Sequence, residues 1–136
     1  MVHCIFLVLF LCFFISPAEA DPAPIAVAIE DLTIGSGAEA SSGQVVTIHY
    51  KAWTLRKDGK RVMFDNSYDR RKAYVFRLGH ELVIPGLEQG IIGMKVGGLR
   101  RLQVPAHLGF GERGAGAAVP PNKDLIFEVE LLNVEN

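Results

Sequence analysis

The sequence predicts an α+β domain: about five antiparallel strands with one short helix laid across a curved sheet. Three observations predict it. Segments rich in β-branched and aromatic residues recur between residues 29 and 131, most of them bounded by glycine-containing turns. Only one stretch, around residues 85–94, places apolar residues at helical spacing. The chain has 136 residues, 49% of them hydrophobic, which suits one domain that buries its core without a disulfide or metal staple.

The first twenty residues stand apart from this pattern. Cys4 to Ile15 is an unbroken apolar run of 12 residues, shorter than the roughly 17–25 that span a bilayer. Ser16, Pro17 and the A-x-A triplet Ala18-Glu19-Ala20 follow it. Residues 1–20 are therefore expected to be a secretory signal peptide cut after Ala20, giving an exported protein with no stable membrane insertion. The segment Met1-Val2-His3 lacks Lys and Arg, and an uncleaved anchor is the alternative. Both cysteines, Cys4 and Cys12, leave with the signal, so the mature 116 residues carry no thiol chemistry.

Residues 21–31 form a leader or edge strand, with Pro22 and Pro24 among small residues. Ile29 to Ile34 is a strand closed by Gly35-Ser36-Gly37. Val45 to Tyr50 is a strand of β-branched and aromatic residues, and Ala52 to Leu55 extends it. Asp58-Gly59 signals a hairpin, from which Arg61 to Phe64 returns. Tyr74 to Leu78 alternates up to Gly79. In the helix Pro85 takes the first position, and Leu87, Ile91 and Met94 follow at spacings of four and three. Gly86, Gly90 and Gly93 lie among them, each costing about 1 kcal/mol in a helix, so the helix is expected to press against other backbone. Gly97-Gly98 turns into Leu99 to Val104, and Leu125 to Leu131 is the last strand.

Charge and motifs exclude several classes of chemistry. With Glu19 set aside, 14 basic and 14 acidic side chains balance, which gives no pull toward nucleic acid. The balance is uneven: residues 51–101 hold 12 basic and 5 acidic side chains. That excess suits either a solvated surface or a docking face for an acidic partner. His49, His80 and His107 are too far apart for paired metal ligands, and no metal or cofactor site is expected. His49, in a strand, is expected to be a hydrogen-bonded structural residue. Gly109-Phe110-Gly111-Glu112-Arg113-Gly114 matches G-x-G-x-x-G literally. A dinucleotide site needs a helix opening on that motif, and Ala115 to Pro121 cannot supply one.

The aromatic residues are more informative. Tyr50, Trp53, Phe64, Tyr68, Tyr74, Phe76, Phe110 and Phe127 remain after residue 20, several at strand ends or loops. Around a short helix they make either a plain core or an apolar ligand pocket. Asp65 follows Phe64 directly. A carboxylate in apolar surroundings needs partners, which Arg70 or Tyr50 could supply; a surface Asp is the alternative.

Many short motifs then fall in one register: Tyr50, Phe64-Asp65-Asn66-Ser67, Leu78-Gly79, Val83-Ile84-Pro85-Gly86, Gly90, Gly93-Met94, Val96-Gly97, Arg101-Leu102, Gly109-Phe110-Gly111, Pro120-Pro121 and Leu125 to Leu131. In this order and spacing the chain resembles the FKBP-type peptidyl-prolyl isomerases, small bacterial members most of all, from about Leu32 to Val134. The resemblance implies a five- or six-stranded antiparallel half-barrel wrapped around one helix, with residues 32–136 as the isomerase domain. It implies cis–trans isomerisation of X-Pro bonds in proline-containing polypeptides, without a cofactor. A bacterial periplasm is favoured as the compartment, and a monomer as the default state.

The family's pocket positions fall on Tyr50, Phe64, Asp65, Tyr74, Val83, Ile84, Phe110, Val119 and Phe127. The implied catalytic set is Tyr50, Phe64, Asp65, Ile84 and Phe110; the implied substrate-binding set is Tyr74, Val83, Leu87, Ala115, Val119 and Phe127. Leu87 stands where the family usually has Trp, and Phe110 where it usually has Tyr. Ala115 and Ala118 replace larger residues. The site is thus expected to be wider and to hold a macrolide inhibitor with reduced affinity. Two functions share this pattern: an isomerase assisting the folding of exported proteins, and a chaperone or protein-binding module with little turnover.

Overall fold

The computed structural model describes residues 26–136. The expected signal peptide, residues 1–20, lies outside the described residues. The chain runs β1 (Ala28–Thr33), β2 (Val45–Leu55), β3 (Arg61–Asn66), β4 (Tyr74–Arg77), α1 (Pro85–Ile91), β5 (Leu99–Val104) and β6 (Leu125–Glu135). These strands form one antiparallel open sheet in the order β1-β5-β6-β2-β3, with β4 also paired to β2. Fold class and element order agree with the sequence expectation.

The long strand β2 organises the sheet. One side pairs with β6 along almost its whole length. The other side is shared: Lys51 to Leu55 pair with β3, and Val45 to Ile48 with β4. Ser67 bridges the break between them. Its N–H donates to the Tyr50 carbonyl at 2.9 Å, and its hydroxyl accepts the Tyr50 N–H at 2.7 Å. Ser67 is fully buried, so these bonds satisfy backbone groups that would otherwise be stranded. His49 belongs to the same patch, with Nδ1 at 2.8 Å from the Ser67 hydroxyl and its ring stacked on Tyr68 at 4.5 Å.

The core lies between the sheet and α1. Val46, Ile48 and Ala52 of β2, Leu102 and Val104 of β5, and Leu125, Phe127, Val129 and Leu131 of β6 meet Leu87 and Ile91 of the helix there. Gly86 and Gly90 allow this contact. A Cβ on Gly86 would sit 2.3 Å from Val104 Cγ1, and one on Gly90 would sit 2.3 Å from Leu102 Cδ1. The close approach is mainly to β5 side chains rather than to backbone, which corrects that detail of the expectation. The helix also ends earlier than the apolar spacing suggests. It stops at Ile91, and Gly93 turns the chain at φ +89°, yet Met94 still reaches the core.

β6 runs four residues past the expected end at Leu131, because its tail pairs with Val45 to Thr47 beyond an irregularity in register. The local basic excess is partly neutralised in space. Arg100 pairs with Asp31, and Arg101 with Glu30 and Glu128, so acidic residues from both flanking stretches meet the basic middle.

Candidate active site

A cavity of about 350 Å³ opens between the sheet and the segment leading into α1. β2 contributes Tyr50, β3 Phe64 and Asp65, β4 Tyr74 and β6 Phe127. Leu82, Val83 and Ile84 precede the helix, Leu87 comes from it, and Phe110 comes from the loop before β6. All the sequence-predicted site residues line it except Ala115 and Val119. Those two pair with each other, Ala115 N–H donating to the Val119 carbonyl at 2.8 Å, and Val119 is buried in the core. They shape the loop that carries Phe110 instead of facing the cavity.

The sequence reading missed Leu82, which is 59% exposed yet lines the cavity. Its signal was available: an apolar residue next to polar His80 and Glu81, directly before Val83.

The walls are held by aromatic contacts. Phe64 meets Phe110 at 6.4 Å and 77°, and Phe127 at 6.3 Å and 88°. Tyr50 meets Phe127 at 6.2 Å and Tyr74 at 6.4 Å. Near-perpendicular edge-to-face pairs suit the ring quadrupoles and keep the faces from collapsing into a flat stack. Leu87 and Phe127 are nearly buried, which makes them the floor.

One polar cluster breaks this apolar lining. The Tyr50 hydroxyl donates to Asp65 Oδ2 at 2.5 Å. Arg70 Nη1 donates to Asp65 Oδ1, and Arg70 Nη2 to the Tyr50 oxygen at 3.2 Å. The Asn66 N–H also donates to Asp65 Oδ1, at 2.9 Å. Burial alone would raise the Asp65 pKa, but the bonds from Tyr50 and Arg70, with the Arg70 charge, hold it below the ordinary carboxylate value. Burial raises the Tyr50 pKa, and its bond to the ionised Asp65 raises it further. At neutral pH Asp65 is a fixed anion with both oxygens hydrogen-bonded, and Tyr50 is a neutral donor.

A cavity of this kind suits an apolar ring with an amide beside it. Of its backbone donors, the Ile84 N–H has no hydrogen-bond acceptor among the described residues, and neither do those of Leu82, Val83 and Phe110. No group of three metal-ligating side chains comes together among the described residues. The glycine-rich loop 109–114 opens no α-helix; Gly111 and Gly114 take positive φ and serve turns.

Comparison with known proteins gives a consistent picture. Residues 37–132 match the family described as FKBP-type peptidyl-prolyl cis-trans isomerase. An FK506-binding protein of Neisseria meningitidis is 48% identical over 106 residues, covering 78% of this chain and 94% of that protein. The peptidyl-prolyl cis-trans isomerase FPR2 of Saccharomyces cerevisiae is 41% identical over 110 residues, covering 81% and 76%. Among solved structures, that of AtFKBP13 superposes with a TM-score of 0.71 at 37% identity, covering 82% of this chain and 94% of that one. A peptidyl-prolyl cis-trans isomerase from Pseudomonas syringae gives 0.68 at 31% identity, covering 81% and 76%.

Proposed function

The chain belongs to the FKBP-type peptidyl-prolyl cis-trans isomerase family, and from that premise we propose that its aromatic cavity turns over X-Pro bonds in exported polypeptides. Rotation about a peptide bond is opposed by amide resonance, worth roughly 18–20 kcal/mol. In the twisted transition state the amide loses its charge-separated resonance form. An apolar, water-poor cavity therefore favours the twisted state over the planar one, which is catalysis by differential binding.

The sequence-predicted lining residues each have a part in this reading. Phe64, Val83, Leu87 and Phe127 enclose the proline ring, with Tyr74 and Phe110 at its border. The Ile84 N–H holds a substrate carbonyl. Asp65, anchored by Tyr50 and Arg70, orients the carbonyl dipole without exchanging a proton. The observation that carries the reading is the conjunction of near-perpendicular aromatic walls with the unclaimed backbone N–H of Ile84. Ala115 and Val119 act indirectly, through the Phe110 loop.

The expected export signal supports clients that are themselves exported, whose X-Pro isomerisation otherwise takes tens of seconds. Among the described residues no helix is long and apolar enough to cross a membrane. A bacterial periplasm and a monomeric state complete the proposal. A second reading, a chaperone or protein-binding module with little turnover, is favoured by Leu87 in the floor and Phe110 without a hydroxyl. The same two residues lower the expected affinity for a macrolide inhibitor. Isomerisation of a proline peptide by the purified chain decides between the readings. Acceleration over the uncatalysed rate supports the enzyme; none leaves the binding module. Mass spectrometry of the exported protein checks the signal, with a mature terminus at Asp21 expected.

A further inference from the structure

A second groove, of about 490 Å³, adjoins the aromatic cavity and shares Val83 with it as a common wall. Its other lining residues are Glu81, Pro85, Glu88, Gln89 and Ile92. No Lys or Arg is among them. Glu81 holds φ +55°, a left-handed conformation that non-glycine residues seldom adopt, and its carboxylate has no ion-pair or hydrogen-bond partner among the described residues. Glu88 Oε1 is withdrawn from solvent and likewise lacks a hydrogen-bond partner. The cavity's own carboxylate, Asp65, is already taken by Arg70. The unclaimed negative charge beside the cavity is therefore that of Glu81 and Glu88.

We propose that this groove is a subsite for a basic side chain of the client polypeptide, one that neighbours the isomerised proline in sequence. The proposal rests on the assignment of the aromatic cavity as the proline site. A Lys or Arg side chain has an apolar stem and a cationic head. Val83, Pro85 and the exposed Ile92 cover the stem, while the exposed Glu81 meets the head and Glu88 adds its charge beside it. Because Val83 serves both spaces, one extended chain reaches them together. Charge complementarity of this kind selects among proline sites and acts on substrate binding before chemistry.

The test uses three X-Pro peptides that differ only in carrying Lys, Ala or Glu beside the X-Pro pair. Rates are read by NMR exchange spectroscopy, which avoids a coupling protease with a charge preference of its own. At low ionic strength, kcat/KM for the Lys peptide should exceed that for the Glu peptide about threefold to tenfold, carried by KM and shrinking in salt. In the Glu81→Gln/Glu88→Gln variant the ratio should fall to near one, and in Glu81→Gln alone, a change at an exposed residue, partway. Glu135→Gln, remote from the groove, should keep the ratio. Equal rates for all three peptides, or a ratio that survives in the double variant, overturn the subsite and leave the proline site standing. No acceleration of any peptide overturns both.

Discussion

Phe64 and Asp65 are consecutive residues of β3, yet both line the same cavity. In a regular strand they would point to opposite faces. The pairing with β2 explains the exception. Ala52 is opposite Asp65 and Trp53 is opposite Met63, so Phe64 is an extra residue, a bulge. The bulge brings a wall of the cavity and its one anion in from adjacent positions. The two residues should therefore fail separately. Phe64→Ala removes a wall and opens the floor to water, and kcat/KM should fall about tenfold or more. Asp65→Ala frees Tyr50 and Arg70 instead, and should lower stability modestly besides slowing turnover. Urea denaturation and peptide kinetics on both variants check this. Native rates in both folded variants would remove the site assignment.

The Asp65 network carries a pH signature. Its carboxyl pKa is depressed in the folded protein relative to the unfolded chain, the bonds from Tyr50 and Arg70 outweighing burial. A depressed carboxylate contributes stability that is fully present above its unfolded pKa. That contribution is lost as pH falls through the folded value. The stability difference between the native protein and Asp65→Asn should therefore be constant from pH 7 to about 5 and shrink below about pH 4. Urea midpoints for the pair between pH 7 and 2 measure it, and a gap that widens with acid would reverse the assignment.

Phe110 and Leu87 make the ligand prediction. Phe110→Tyr adds a hydroxyl beside the edge-to-face contact with Phe64, and Leu87→Trp enlarges the apolar floor. A new hydrogen bond to a bound carbonyl is worth about 0.5–1.5 kcal/mol, so Phe110→Tyr should tighten macrolide binding about threefold to tenfold. Leu87→Trp should tighten it further through buried area. Calorimetric titration of a macrolide against the native protein and both variants measures the order. Unchanged affinity in both variants would mean that neither residue limits binding.

What was legible in the sequence follows from the range of the interactions. Alternation and turn glycines are local, so the strands, the single helix and their order were readable. The wall residues were readable because the resemblance placed Tyr50, Phe64, Val83 and Phe127 by motif. The bulge at Phe64 was not, since it depends on a register set by β2. Nor was the break between β3 and β4, closed by Ser67 on Tyr50 from 17 positions away. Ala115 and Val119 show the opposite failure. They sit in a loop whose internal pairing turns them from the cavity, and a motif match carries no information about that.

The helix glycines allow propensity and packing to be set against each other. Alanine is favoured over glycine in a helix interior by about 1 kcal/mol, so Gly90→Ala alone would stabilise α1. In the folded protein the new Cβ would fall 2.3 Å from Leu102 Cδ1 and 2.6 Å from Cδ2, in the buried contact between α1 and β5. Leu102 is itself fully buried, and its Cγ would also lie 2.9 Å from the new Cβ, so moving the methyls alone does not relieve the contact. Overpacking of this kind costs about 1–3 kcal/mol, and relief requires α1 to move away from the sheet. Packing therefore wins, and Gly90→Ala should lower the urea midpoint despite its better helix propensity. The same shift would carry Leu87 with the helix, so kcat/KM should fall in the folded variant. The partner substitution Leu102→Ala, made together with Gly90→Ala, removes the obstructing methyls and should recover part of the stability lost by Leu102→Ala alone. A double-mutant cycle on the two positions measures that coupling, and strict additivity would show that the 2.3 Å approach does not decide the helix position.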